Sequence, residues 1–146
     1  MKVEDILRKK GTRIGMVRVN ETVETGLRLM KAENTGALVV KDVCRTEGNT
    51  VVGVLSERDV CRALVDRGPA ILKQPVSALM TRDPICCHPS DPVQHVLQLM
   101  DEHGIRHVPV LEGTTLVGVV SVRDLIRRQL ESAPGESWSY PVAANQ

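Results

Sequence analysis

Gly53-Val54-Leu55-Ser56-Glu57-Arg58-Asp59 is written again 65 positions later as Gly118-Val119-Val120-Ser121-Val122-Arg123-Asp124. Each copy follows a short apolar run, Val51-Val52 or Leu116-Val117. Each also opens a stretch with helical spacing: Val60, Ala63 and Leu64 in the first, Leu125, Ile126, Gln129 and Leu130 in the second. The repeated unit is a strand that runs into a helix N-terminus through Ser-x-Arg-Asp.

Two readings of that unit are open. Ser-x-x-Asp resembles a capping box, in which the Ser oxygen accepts from the third backbone N–H and the acid suits the positive end of the helix dipole. Arg58 and Arg123 argue for more than a cap. A cation in the first helical turn is disfavoured by roughly 0.3–1 kcal/mol, and here it occurs twice in register. Unpaired N–H groups beside an arginine make an anion site, typically for phosphate.

The 146 residues suffice for one unit with a real core, and a net charge of +1 gives no basic field for nucleic acid. Charge in Met1-Lys2-Val3-Glu4-Asp5 disfavours a signal peptide, and the best apolar run, Ala37-Leu38-Val39-Val40, is strand-sized. A soluble, cytoplasmic protein without membrane or nucleic-acid partners is expected. Cys44, Cys61, Cys86 and Cys87 read as thiols of a reducing compartment, and Cys86-Cys87-His88 as part of a buried strand, so no metal is expected. With no Phe, the core must come from Val, Leu, Ile and Met.

Most of the chain doubles in the same way. A first repeat (1–67) reads as a helix from Val3 to Lys10, a strand from Ile14 to Val19, and a helix from about Thr22 to Asn34, capped by Asn20 and ended by Gly36. A strand from Ala37 to Lys41, a loop from Asp42 to Asn49, a strand from Thr50 to Leu55 and a helix from Ser56 to Arg67 complete it. Residues 68–75 carry Gly and two prolines and read as a linker. In the second repeat (76–131), Val76 to Met80 echoes Val3 to Leu7, and Ile85 to His88 is the short strand. Ser90-Asp91-Pro92 caps a helix that Gly104 ends, and strands His107 to Leu111 and Leu116 to Val120 flank a turn at Glu112-Gly113-Thr114. The tail 132–146, with Trp138 and Tyr140, is expected to be disordered unless its aromatics dock on a partner.

A strand-helix-strand-strand-helix unit written twice, each copy closing on Gly-Val-x-Ser-x-Arg-Asp, resembles the CBS domain, and the tandem resembles a CBS pair, or Bateman module. Thr35 to Val40, Ile105 to Val110, Leu79-Met80-Thr81 and Ser90-Asp91-Pro92 carry the likeness over about residues 3 to 131. The resemblance implies an α/β (α+β) fold of two β-α-β-β-α repeats with pseudo-two-fold symmetry, each a small sheet packed on helices. It also implies two clefts between the repeats that bind adenine nucleotides or related adenosyl ligands.

Carried over by motif, Asp59 and Asp124 would accept from ribose hydroxyls, Ser56 and Ser121 would help hold ribose or phosphate, and Arg58 and Arg123 would neutralise phosphate, with Val122, between Ser121 and Arg123, counted among the nucleotide-binding residues. Thr81 belongs to the motif, and backbone around Ile85, Val108-Pro109 and Ala37-Leu38 would hold the base. Arg106 and His107 would contact phosphate. The second copy has that basic pair where the first has Gly36-Ala37, so a single tight cleft is expected at Asp124.

No nucleophile–base pair, paired carboxylates or metal set marks a catalytic site, so catalytic residues are expected to be none. The reading is a regulatory module that binds AMP, or else ADP or ATP, and signals energy or redox state to a protein effector in trans, as a homodimer through helices 56–67 and 121–131. NAD(H), S-adenosylmethionine, and a dimeric scaffold whose Ser and Asp are only caps are the alternatives. A dinucleotide would not bind in Rossmann fashion, because no Gly-x-Gly-x-x-Gly is present.

Overall fold

The computed structural model describes residues 1–11, 14–44 and 48–132. Its elements run α1 (Val3–Lys10), β1 (Met16–Arg18), α2 (Val23–Glu33), β2 (Ala37–Cys44), β3 (Gly48–Ser56) and α3 (Glu57–Arg67). After two 3-10 turns come β4 (Thr81–Arg82), α4 (Val93–His103), β5 (His107–Glu112), β6 (Thr115–Ser121) and α5 (Val122–Ser132). The fold is mixed α+β, and the repeat seen in the sequence is a repeat of structure.

One sheet has the order β1-β2-β3-β4, with β1 parallel to β2 and the other pairs antiparallel. The other is the antiparallel pair β5-β6, which Cys87 joins through a single parallel bridge to Val110. The register slips at Val40/Lys41 in one hairpin and at Val110/Leu111 in the other, so both halves bend at the same step.

Each half completes the core of the other. Val3, Ile6 and Leu7 of α1 pack with Val96, Val108, Val120 and Leu125 of the second half. Ile71, Val76 and Met80, which follow the first half, pack with Val17, Leu38, Leu55 and Val60 inside it. Two glycines permit this exchange. A Cβ on Gly53 would lie 2.6 Å from the Thr81 carbonyl oxygen, and one on Gly118 would lie 2.5 Å from Leu7 Cδ2.

Several boundaries differ from those read in the sequence. Thr22, not Asn20, caps α2 by accepting from the Thr25 amide, and left-handed Asn34 (φ 53°), not Gly36, ends it. The expected loop from Asp42 to Asn49 is largely ladder, because β2 and β3 pair out to Cys44 and Gly48. Residues 68–75 are not a free linker: they include a 3-10 turn at Pro69–Lys73 whose Ile71 is fully buried. The echo of α1 shrinks to a 3-10 turn at Val76–Ala78, since the chain then extends to pair as β4. Ile85 to His88 forms no strand beyond the Cys87 bridge. Pro92 is itself the N-cap of α4 without a side-chain bond, while Asp91 and Ser90 bond to His88. The expectation for the tail lies outside the described residues, except that Ser132 closes α5. The Cys44 side chain and the tip of the first hairpin also lie outside them.

Candidate functional site: a cavity shared by the two repeats

The two Ser-x-x-Asp motifs fold identically. Ser56 Oγ accepts from the Asp59 amide (3.2 Å) while Asp59 Oδ2 accepts from the Ser56 amide (3.0 Å). Ser121 and Asp124 repeat the exchange at 3.1 and 2.9 Å. Both are complete capping boxes, so the capping reading of these residues is realised in full. The first amide of each helix is engaged as well, Glu57 N–H to Gly36 O (2.9 Å) and Val122 N–H to Arg106 O (2.8 Å). Amides read in the sequence as free for an anion are thus partly spent, and attraction for an anion falls on side chains.

Those side chains gather in a cavity that Glu57, Asp59 and Asp83 also line. A cavity of about 460 Å³, a size suited to a small organic ligand, opens between the repeats at the N-terminus of α3. The first repeat supplies Gly36, Ala37, Ser56, Glu57, Arg58, Asp59 and Arg62. The segment after β4 adds Pro84 and Ile85, with Thr81 and Asp83 at the rim. The second repeat contributes His103, Gly104, Arg106 and His107. Gly36 faces His107 closely enough that a Cβ would sit 3.4 Å from the imidazole Cε1. Arg58 spans the cleft, with Nη1 donating to Gly104 O at the end of α4 (2.8 Å).

The basic pair and its carboxylate therefore come from opposite repeats. The expectation of a single tight cleft at Asp124 rested on Arg106 and His107 lying beside that residue's own motif. They do flank that motif, His107 pairing with Ser121, but the topology also turns them to the Asp59 cavity, because the strand after the long helix of one half meets the helix start of the other. Asp124 has a different neighbour: Lys10 Nζ lies 2.6 Å from its Oδ2 and also donates to Val119 O (2.8 Å). Burial pushes the Asp124 carboxyl up, but the Lys10 and Ser121 hydrogen bonds outweigh it and hold the group below its ordinary value. Burial, then the positive charges of Lys10 and Arg106, lower the His107 pKa against the opposing pull of Asp124.

The remaining expected residues separate from the cavity. Leu38, Val108 and Pro109 have buried side chains, and Pro109 O is taken by the Cys87 amide, so they support the walls without lining them. Val122 and Arg123 border a shallow groove on the outer face of α5 with Ile126 and Leu130. Sequence reasoning missed Arg62, although it lies one helical turn after Arg58, a spacing that puts both on one face. It missed Asp83 as well, which adopts a left-handed backbone (φ 49°) that few non-glycine residues take. Burial pushes the Cys87 thiol up to about 12, so at neutral pH it is a thiol and not a thiolate. Among the described residues, no group of three or more His, Cys, Asp and Glu is placed to hold a metal, and no helix is long and apolar enough to cross a membrane.

Two repeats, each closing on a capping-box helix, share a cavity at the junction between them. The CBS domain model matches residues 3–66 and 76–131, and the chain belongs to that family. A 17.7 kDa uncharacterised protein of Acidianus ambivalens is 35% identical over 121 residues, 82% of this chain and 70% of that one. A CBS-domain-containing protein from Agrobacterium tumefaciens matches with a TM-score of 0.82 at 30% identity, covering 88% of this chain and 92% of that one. A CBS domain protein from Pyrobaculum aerophilum, solved in complex with AMP, matches with a TM-score of 0.74 at 27% identity, covering 91% and 100%.

Proposed function

We propose that this chain is a regulatory module that binds an adenosine nucleotide, AMP foremost, in the cavity at Asp59. The observation that carries the reading is the convergence of Arg58, Arg62 and Arg106 with the Asp59 carboxylate around one cavity. A carboxylate accepts from the two hydroxyls of a ribose, and guanidinium groups bind phosphate. Asp59 Oδ2 is partly used by the Ser56 amide, and no cation is paired with the group among the described residues. The AMP complex of the Pyrobaculum relative supports the same ligand class. Phosphate on Arg58 would compete with the Gly104 carbonyl, which gives occupancy a route to the end of α4.

Regulation without catalysis is part of this reading: the cavity groups neutralise and orient, and a protein effector in trans reads the result in the cytoplasm. Leu64 and Val65 on α3 and Ile126 and Leu130 on α5 are exposed, from 41% to 86%, and suit the two helices to a homodimer. The complete capping boxes favour a second reading, a scaffold in which Ser56 and Asp59 serve only as caps.

Isothermal titration of AMP against the wild type and Asp59→Asn separates the two. The amide still accepts from the Ser56 N–H but loses the charge. Hydrogen bonds to a charged group contribute about 1.5–3 kcal/mol, so AMP affinity is expected to fall roughly 10- to 150-fold with the fold intact. A wild type that binds neither AMP, ADP, ATP, NAD(H) nor S-adenosylmethionine would leave the scaffold.

A further inference from the structure

We infer that Lys10 is a built-in occupant of the second cleft, so that the chain takes one nucleotide and not two. The inference rests on the nucleotide reading of the Asp59 cavity. In the 65-residue register of the repeated motif, Val54 and Asp59 correspond to Val119 and Asp124. Val54 and Asp59 both line the open cavity. Their counterparts are the two groups that Lys10 binds: Nζ donates to Val119 O at 2.8 Å and to Asp124 Oδ2 at 2.6 Å. The ammonium thus sits where the wall and the ribose acceptor of a second site would be. A diol arriving there meets a carboxylate already neutralised, and it must displace a charge-assisted bond to reach it.

The position of Lys10 is held from several sides. Val3, Ile6 and Leu7 bury α1 in the second core, and Gly118 lets Leu7 approach β6. Lys9, the preceding residue, bonds Glu131 of α5 at 2.6 Å. The Lys10 and Asp124 side chains are only 35% and 20% exposed, which weakens solvent competition for the pair. On the opposite side of the pseudo-symmetry, Asp59 has the same capping bonds, and among the described residues no cation is paired with it. One lysine at the end of a packed helix therefore makes two like motifs unlike.

Equilibrium dialysis of radiolabelled AMP against the intact chain counts the sites. The expected result is one per chain in the wild type, two in Lys10→Met, and one again in Lys10→Met/Asp124→Asn. Circular dichroism checks that each variant is folded, and Lys10→Gln replaces Lys10→Met if the latter is not. Two sites in the wild type, a single site in Lys10→Met, or weaker binding in Lys10→Met would each overturn the inference. The last of these would make Lys10 a ligand contact. A wild type that binds none while Lys10→Met binds one supports the plug and refutes the Asp59 reading. No binding by either protein refutes both.

Discussion

Asp59 and Asp124 occupy equivalent places in equivalent motifs, yet one faces a cavity and the other a lysine. Their capping bonds agree within about 0.1 Å, so the difference does not arise in the motif. It arises in what the opposite half of the chain presents to it. To Asp59 the second half presents Arg106, His107 and the end of α4; to Asp124 the first half presents the end of α1. In a pseudo-symmetric pair, local sequence sets the cap, and the far repeat decides whether it serves a ligand.

The largest effect expected from a test of this comparison lies in the two glycines that let the halves interpenetrate. At Gly53 a methyl group would meet a backbone oxygen, Thr81 O, at 2.6 Å, with Met80 Sδ at 2.9 Å. At Gly118 it would meet the terminal methyls of Leu7. A strand carbonyl in a ladder cannot retreat, whereas a leucine end can rotate. Overpacking of this kind costs about 1–3 kcal/mol. Gly53→Ala should fall in the upper part of that range and Gly118→Ala in the lower, as read by urea denaturation. Equal losses would mean that the two junctions are equally rigid.

A smaller effect attaches to Lys10 in acid. The Asp124 pKa is lowered in the folded chain, so its contribution to stability is present above the unfolded carboxylate value of about 3.9. That contribution is lost as pH falls through the lower folded value. Removing the ammonium leaves only the Ser121 hydrogen bonds to oppose burial, so the group rises. In Lys10→Met, acid unfolding should begin at higher pH, with a loss of about 1 kcal/mol at neutral pH, modest because both side chains keep some exposure. An unchanged acid limb would show that the 2.6 Å contact does not persist in solution.

How much of this was legible in the sequence follows from the range of the interactions concerned. Caps and helix faces are local, and Ser56, Asp59, Ser121 and Asp124 could be read directly. So could the repeat, because Gly53 and Gly118 recur with their neighbours. The partner of each motif could not. Arg106 and His107 lie beside Ser121 in their own hairpin, and nothing in periodicity says that they also line the cavity of the other half's motif. The pairing of Asp42 to Cys44 with Gly48 to Thr50 was hidden because Asp, Gly and Asn read as turn residues wherever they fall. Ile85 to His88 misled in the reverse direction, since an alternating apolar pattern also suits an extended segment held by one bridge. Lys10 gave no signal, being one of three basic residues in the last turn of α1, where the dipole favours them anyway.

The smallest effect concerns His107, which belongs to one half and lines the cavity of the other. Burial, with Lys10 and Arg106 nearby, lowers its pKa against the pull of Asp124. Between that lowered value and the unfolded value of about 6.5, the unfolded chain binds more protons than the folded one. Stability should therefore fall as pH drops through this window, by at most about 1.4 kcal/mol per pH unit for one group. Phosphate in the cavity would act in the opposite sense, since an anion beside the ring favours imidazolium. Binding of AMP should then take up a proton, and affinity should rise as pH falls while stability declines. Urea denaturation and AMP titration at pH 7.5 and 5.5 measure both slopes, and His107→Gln should flatten the two together. If only the stability slope flattens, His107 touches the fold and not the ligand, and the phosphate must lie toward Arg58 and Arg62. If neither does, another group carries the pH dependence.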